Sequence, residues 1–184
     1  MAAAAATIFS PLSRALVQQG KLVQADANAL HAEAKKNNIT FIEQLVTSKK
    51  MGARDIAHFA ANTFGVPLLD LAGVEPEQLP TGSVDTKLVA SKRVIPLFKR
   101  GNRLFLGMSD PTSEQLLNEL KFAIGTVVEP VVVEEDKLAI LIKRFGESSA
   151  KALDQMIGDD TALGDIDLGG DQGARGPQSR VGFE

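Results

Sequence analysis

Apolar residues recur at helical spacing through residues 1–65. Four segments show this period, and glycine, asparagine or proline residues separate them. The four segments begin near Ser10, Ala25, Thr40 and Ala53. Ser10 directly precedes the first apolar pattern, and Glu43 follows Thr40 at the spacing of a capping box. The pattern therefore predicts four helices in this part of the chain.

The predicted helices also repeat along the chain. Leu16, Val17, Lys21 and Asp26 each meet an identical residue 29 positions later. Such a repeat predicts two helical pairs that pack into one four-helix unit. The alternative is that two amphipathic helix pairs match by chance.

Residues 66–92 are predicted to be a connector followed by a helix. Prolines and glycines punctuate residues 66–83, where Leu68-Leu69-Asp70-Leu71 has the pattern of a short edge strand. Ser83 is positioned to cap a helix over residues 84–90.

The period then changes from helical to the alternation of strands. Residues 94–100 and 103–108 flank Gly101-Asn102, which predicts a β-hairpin with a two-residue turn. Pro96 lacks a ladder donor, so the first strand is expected to lie at an edge or to contain a bulge. Phe98 and Phe105 alternate with charged residues, and we expect both to point into the core.

A helix, a strand and a second helix follow the hairpin. Asp110 and Pro111 have the order of an N-cap and a first helical residue, so a helix is predicted over residues 112–124. Residues 126–133 are a β-branched strand, and the acidic run 134–136 suits the N-terminus of a last helix. The order predicts an α+β fold in which a small sandwich has one helical face.

Charge is distributed unevenly along the chain. Residues 151–184 carry three basic and seven acidic side chains together with seven glycines, whereas residues 1–150 are nearly neutral. We expect the acidic segment to be a disordered linker or tail, since it offers little apolar surface to bury. A neutral body gives no strong electrostatic case for a nucleic-acid partner.

Several kinds of chemistry are excluded by composition. The chain has no cysteine and two histidines, so disulfides and zinc–thiolate sites are excluded, and neither histidine has partners at metal-ligand spacing. Gly20-Lys21 is the one Gly-Lys pair, but Ala15 and Leu22 break the phosphate-loop pattern around it. We therefore predict no catalytic, metal or cofactor-binding residues. No apolar run reaches a membrane-spanning length and Met1 is not followed by a basic leader, so we expect a cytoplasmic protein.

Basic side chains are concentrated at two predicted turns. Lys99, Arg100 and Arg103 surround the hairpin tip. Lys49, Lys50 and Arg54 lie around the turn between the third and fourth helices. The hairpin residues are either an ordinary solvated turn or a contact surface for a polyanion or an acidic partner.

Three segments carry a resemblance to a known family. They read VPLLDL, RVIPLFKRGNRLFLGMSDP and VVEPVVVEEDKL, at residues 66–71, 93–111 and 127–138. With the helical repeat, they resemble the N-terminal region of the type IV pilus assembly and type II secretion ATPases, the PilB/GspE family. The resemblance implies a regulatory or docking domain of a hexameric cytoplasmic motor. Its implied partners are a PilZ-like adaptor, an inner-membrane platform protein and the rest of the motor, which would hold the chain peripherally at the inner membrane.

The resemblance further implies a cyclic di-GMP motif of the MshEN type, present twice at the 29-residue offset. The matching positions are Leu12, Leu16, Val17, Gly20 and Leu22 in the first copy, and Phe41, Leu45, Val46 and Met51 in the second. The motif's arginine is absent from both copies, and Lys49 replaces the second turn glycine. Since arginine normally contacts phosphate or guanine, we expect weak cyclic di-GMP binding or none.

The sequence therefore predicts three parts. Residues 1–65 form an MshEN-like helical repeat, residues 66–150 a small α+β domain, and residues 151–184 a disordered acidic tail. The functional hypothesis is a non-catalytic docking domain of a pilus-extension ATPase. The alternative is a free-standing cyclic di-GMP receptor module.

Overall fold

A computed structural model describes residues 10–162, which form seven α-helices and one three-stranded sheet. The helices are α1 (Pro11–Gln18), α2 (Gln24–Asn37), α3 (Phe41–Thr47), α4 (Ala53–Phe64), α5 (Thr86–Lys92), α6 (Glu114–Ile124) and α7 (Glu135–Ala162). The strands are β1 (Ile95–Arg100), β2 (Arg103–Met108) and β3 (Val127–Val132). The α+β class is confirmed. Among the described residues, no helix combines the length and apolar character needed to cross a membrane.

Helices α1–α4 carry the same turn twice. Gly20 has a φ of 69° and Lys49, 29 positions later, has a φ of 55°. The backbone N–H of Gly20 donates to Val17 and that of Lys49 donates to Val46, both at 3.0 Å. Each copy of the 29-residue pattern therefore folds into a helix, a left-handed turn and a second helix.

Local capping in this part follows the sequence. The Ser10 hydroxyl accepts a hydrogen bond from the backbone N–H of Ser13, and the Thr40 hydroxyl accepts one from Glu43. The inward faces of α1–α4 then form one apolar core. Its buried members are Leu12, Leu16, Leu22, Ala27, Leu30, Ile42, Leu45, Ile56, Ala57, Ala60 and Val132.

The sheet has the order β1–β2–β3 and contains the predicted hairpin. β1 and β2 are antiparallel, and the register shifts between Pro96 and Phe98, which is the bulge expected at an edge strand. β3 runs parallel to β2 after the chain crosses over through α6. Gly107 on β2 is needed for close packing, because a Cβ there would lie 2.9 Å from Ile95 Cγ2.

The connector between helices α1–α4 and the α+β part is hydrogen-bonded to β3. Leu68 forms a parallel bridge with Val132, so the predicted edge strand is reduced to a single bridge. The Leu69 N–H donates to the Val132 carbonyl at 2.9 Å, and the Val132 N–H donates to the Pro67 carbonyl at 2.8 Å. The helices α1–α4 and the α+β part consequently belong to one compact unit, which ends at Lys151.

Two predicted helix starts are wrong. Asp85, not Ser83, caps α5, where its carboxylate accepts from the Lys87 N–H at 2.7 Å. Ser113, not Asp110, caps α6, because Asp110 closes a turn of its own with the Thr112 N–H at 2.9 Å. In both places, a second capping residue two or three positions later is the one that meets the first free N–H groups of the helix.

The boundary of the acidic tail also differs from the prediction. Helix α7 continues to Ala162, so residues 151–162 are helical. The prediction of disorder rested on the acidic, glycine-rich composition of the whole segment. Residues 151–156, however, include residue types of high helix propensity, and these favour continuation of the helix. Residues 163–184 of the predicted tail lie outside the described residues.

One ion-pair cluster joins α3, α5 and α7. Arg93 follows α5 with a φ of 50°, and its Nε donates to Glu135 Oε1 at 3.0 Å. Its Nη1 also lies 3.4 Å from Glu43 Oε1. Glu135 is only 3% exposed, and this burial raises the pKa of its carboxyl, although neighbouring Ser109 and Arg93 oppose the rise. From the sequence, Glu135 was assigned only a role at a helix N-terminus.

Replacing Lys49 by glycine should stabilise the protein by about 0.5–1 kcal/mol. A left-handed conformation costs an L-residue roughly 1–2 kcal/mol, while glycine loses about 0.5–1 kcal/mol in chain entropy. Urea unfolding of Lys49→Gly measures the gain. Lys49→Ala is the control, because it removes the side chain and keeps the strain; an equal gain in both variants would contradict the explanation.

The stability of the wild type relative to Glu135→Gln should fall as the pH rises above about 4, the ordinary pKa range of a glutamate carboxyl. The native state holds the Glu135 proton more tightly than the unfolded chain does, so the stabilisation present at low pH is lost as the pH passes through the raised pKa. Denaturant unfolding of both proteins at several pH values tests this. A difference that is constant with pH would show that the carboxyl does not titrate differently in the native state.

Candidate docking surface

The basic residues of the hairpin tip are all exposed. Lys99, Arg100 and Arg103 lie at the ends of β1 and β2, where Arg100 and Arg103 are cross-strand partners. Like charges in directly opposite positions are unfavourable in a sheet. Arg103 is partly compensated by Glu129 of β3, whose Oε1 lies 3.4 Å from its Nη1. The tip therefore keeps a local excess of positive charge.

The two hairpin phenylalanines lie beside these cations rather than inside the core. Phe98 is 47% exposed, and its ring stacks on Phe105 with a centroid distance of 4.3 Å. The prediction that both point inward is wrong for Phe98 and only partly met by Phe105. Residues 95–97, before and within the bulge, are buried, whereas residues 98–100 after it are all exposed, so this end of the strand is uncovered on both faces.

Two adjacent hollows continue from these rings across the end of the sheet. The first has a volume of about 460 Å³ and the second of about 510 Å³. We call them together the hairpin-tip groove. The first is lined by Arg100, Asn102, Arg103, Phe105 and Val127, and the second by Asn102, Lys121, Phe122, Gly125, Thr126 and Val127.

The groove contains two large apolar side chains that are exposed. Phe122 is 93% exposed at the end of α6, and Val127 is 44% exposed at the start of β3. Exposed aromatic and aliphatic side chains that lie together and have a polar rim are typical of protein interaction sites. The groove thus supplies the apolar centre that a docking surface needs around its cations.

The exposure of Phe122 could have been predicted from the sequence. The apolar residues of α6 that pack inward are Leu116, Leu117, Leu120 and Ile124. Phe122 falls between them on the polar side of the helix, where a phenylalanine has no packing role. The exposure of Val127 could not have been predicted in this way, because valine is common at the ends of both buried and exposed strands.

The residues of the implied cyclic di-GMP motif lie in the helical part and serve mainly as its core. Leu12, Leu16, Leu22 and Leu45 are buried. Val17, Phe41, Val46 and Met51 are partly buried against that core, and Gly20 forms the first left-handed turn. Their apolar character is thus explained by packing. None of the nine lines the hairpin-tip groove.

A small cavity does adjoin this motif at Phe41. It has a volume of about 170 Å³ and lies between the start of α3, the end of α5 and the segment that joins β2 to α6. Lys92, Arg93, Ser109 and Asp110 contribute its polar lining. Phe41 also stacks on His31 with ring centroids 4.1 Å apart. Pockets for drug-sized ligands measure roughly 300–1,000 Å³, so this cavity would have to enlarge to admit a dinucleotide.

The second basic cluster is partly neutralised. Lys50 Nζ lies 2.8 Å from Asp26 Oδ1, which joins the second left-handed turn to the first turn of α2. Arg54 instead lines a different hollow with His58 and Asp70. The structure therefore does not bring the two predicted basic clusters into one surface pocket.

Comparison with known families matches residues 64–152 to the MshEN domain. This range contains the hairpin, α6, β3 and the hairpin-tip groove, together with the connector and most of α7. The implied cyclic di-GMP motif at residues 12–51 lies outside the matched range.

Curated relatives cover more of the chain. The type IV pilus assembly ATPase PilB of Pseudomonas aeruginosa is 38% identical over 161 residues, which is 88% of this chain and 28% of that protein. PilB of Acinetobacter baylyi is 31% identical over 73% of this chain and 23% of its own length. The chain thus spans about a quarter of the length of these relatives.

Solved structures show the same fold. MshE with cdg has a TM-score of 0.53 and 19% identity over 74% of this chain and 99% of that one. The N-terminal domain of XpsE has a TM-score of 0.56 and 20% identity over 73% of this chain and 92% of that one.

Proposed function

This chain belongs to the PilB/GspE family of pilus assembly and secretion ATPases, as a counterpart of their N-terminal MshEN region, and from that premise we propose that it is a non-catalytic docking and regulatory domain. In this proposal ATP hydrolysis belongs to the remaining part of a hexameric motor. The domain contacts a PilZ-like adaptor and an inner-membrane platform protein. Those contacts hold it in the cytoplasm at the inner membrane.

The observation that carries the proposal is the hairpin-tip groove. It joins exposed rings and a valine to a cationic rim, and it holds no arrangement of side chains suited to catalysis. Rim charges mainly raise association rates, whereas a desolvated apolar centre supplies the binding energy. A surface with both features suits a domain that captures other proteins.

Charge reversal at the tip should weaken adaptor capture at least tenfold at low salt. Lys99→Glu, Arg100→Glu and Arg103→Glu are combined in one variant, and binding of the purified PilZ-like adaptor of the same pilus system is measured by pull-down. The three side chains are exposed, so the variant should still fold. Binding weakens for two reasons. The variant loses the electrostatic attraction that steers an acidic partner to the tip, and the introduced glutamates repel the acidic face of that partner.

The matched control reverses three exposed lysines of the helical part, Lys21, Lys35 and Lys36. It makes the same change in net charge and leaves the hairpin intact. If the wild type captures no adaptor, the docking role fails for that partner. If both triple variants lose binding equally, net charge rather than the hairpin tip is responsible.

Cyclic di-GMP reception is the second candidate. It is favoured by the fold shared with MshE, a protein solved with cdg, and by the cationic lining of the cavity at Phe41. Against it stand the buried state of the main motif residues, the missing arginines and the cavity volume of about 170 Å³. We therefore propose that the helical repeat serves mainly as a scaffold for protein contacts.

Calorimetric titration with cyclic di-GMP should give no binding, or binding no tighter than about 10 µM, about −7 kcal/mol. The physical reason is that neither motif copy supplies the arginine that would pair with phosphate or guanine. Lys92→Ala, which removes one cation of the cavity at Phe41, tests whether any residual binding uses that cavity. A submicromolar dissociation constant for the wild type would support the receptor function instead.

A further inference from the structure

We propose that the hairpin-tip groove binds an extended protein segment in which apolar side chains, at least one of them aromatic, alternate with carboxylates. This inference rests on the docking function proposed above and specifies the chemistry of the partner. It follows from the two-part shape of the groove and from the side chains in each part.

Each part of the groove offers an aromatic surface. The first contains Phe105, with Phe98 stacked on it, and the second contains Phe122. Val127 lines both parts and so makes the apolar surface continuous. A partner that covered one part alone would leave the other aromatic surface in water. Two apolar side chains on one segment would bury both.

Each part also offers cations beside its ring. Arg100 and Arg103 line the first part and Lys121 lines the second. Arginine binds carboxylates through a planar fork of donors, and lysine acts as a compact positive charge. Carboxylates next to the apolar anchors of the partner would therefore meet a cation in both parts.

The residue shared by the two parts favours an extended backbone. Asn102 lines both parts, and its carbonyl accepts a hydrogen bond from the Val127 N–H at 3.2 Å. Its exposed side-chain amide provides both a donor and an acceptor. A peptide backbone that passes from one part to the other can bond to this donor and this acceptor, as the backbone of an extended segment requires.

The charge pattern favours a protein over a nucleic acid. Proteins that bind DNA strongly contact about 6–10 phosphates with cations. The groove is lined by Arg100, Arg103 and Lys121, and Glu129 lies against Arg103 within the same surface. A short acidic segment needs few cations, whereas a strongly bound phosphate backbone needs more cations than this groove supplies.

The test uses the full chain and a fluorescein-labelled peptide that repeats the unit Leu-Asp-Phe-Glu, with binding followed by fluorescence anisotropy at low salt. We expect saturable binding that weakens at least tenfold in Phe122→Ser and in Lys121→Glu. Phe122 is 93% exposed, so its replacement should leave the fold and the thermal transition unchanged. Ile140→Ser is the control, since Ile140 is 61% exposed on α7 and lines neither part of the groove.

Two further probes identify what the groove recognises. A peptide with serine in place of leucine and phenylalanine should not bind, and one with lysine in place of the acids should not bind. A labelled oligothymidylate should bind more weakly than the acidic peptide. Tighter oligothymidylate binding that Phe122→Ser removes would overturn the inference in favour of single-stranded nucleic acid.

The outcome is separable from that of the proposed function. If the chain captures the adaptor but ignores the acidic peptide, this inference is overturned while the docking role stands. If it binds the peptide through Phe122 and Lys121 but captures no adaptor, the chemistry of the groove is supported and the adaptor assignment fails. Equal peptide binding by Phe122→Ser and Ile140→Ser would also overturn the inference.

Discussion

The architecture depends on the burial of both faces at one end of β3. Successive side chains of a strand point to opposite faces, and here they enter different cores. Val131 and Val133 belong to the core of the α+β part, whereas Val132 belongs to the core of α1–α4. The backbone of Val132 also bonds to the connector through Pro67 and Leu69. The helical repeat is thereby fixed to one end of β3, and the ion pair of Glu43 with Arg93 adds a second link to the α+β part.

Burial at that end leaves the opposite end of the sheet open. Val127, the first residue of β3, is 44% exposed, while Val132, the last, is fully buried. The hairpin extends over the same open end, so Phe98 and its neighbouring cations lie beyond the layer of helices that covers the rest of the sheet. Phe98, Phe122 and Val127 belong to neither buried core, so packing does not account for their apolar character, and this supports the binding role proposed above.

What could be predicted from the sequence was mostly local. The hairpin, its Gly-Asn turn, the bulge near Pro96 and the cap at Thr40 depend on neighbouring residues, and the structure confirms them. The exposure of Phe98 and the burial of Glu135 depend on which helix covers which part of the sheet. Alternation of residue types identifies two faces of a strand but does not show how far along the strand each face is covered. For the same reason the basic tip was predicted, and its apolar centre was not.

The size of the groove limits what it can do alone. Stable protein complexes usually bury about 800 Å² on each partner, more than a groove at one sheet end is expected to offer. A segment bound there would be held weakly and exchange quickly unless other contacts added to it. Several copies of the domain in one motor would supply such contacts, because a partner tethered at one site meets the next at a high effective concentration. In the motor proposed above, binding would then depend on the assembled complex, and a partner would be released when its contacts are lost in turn.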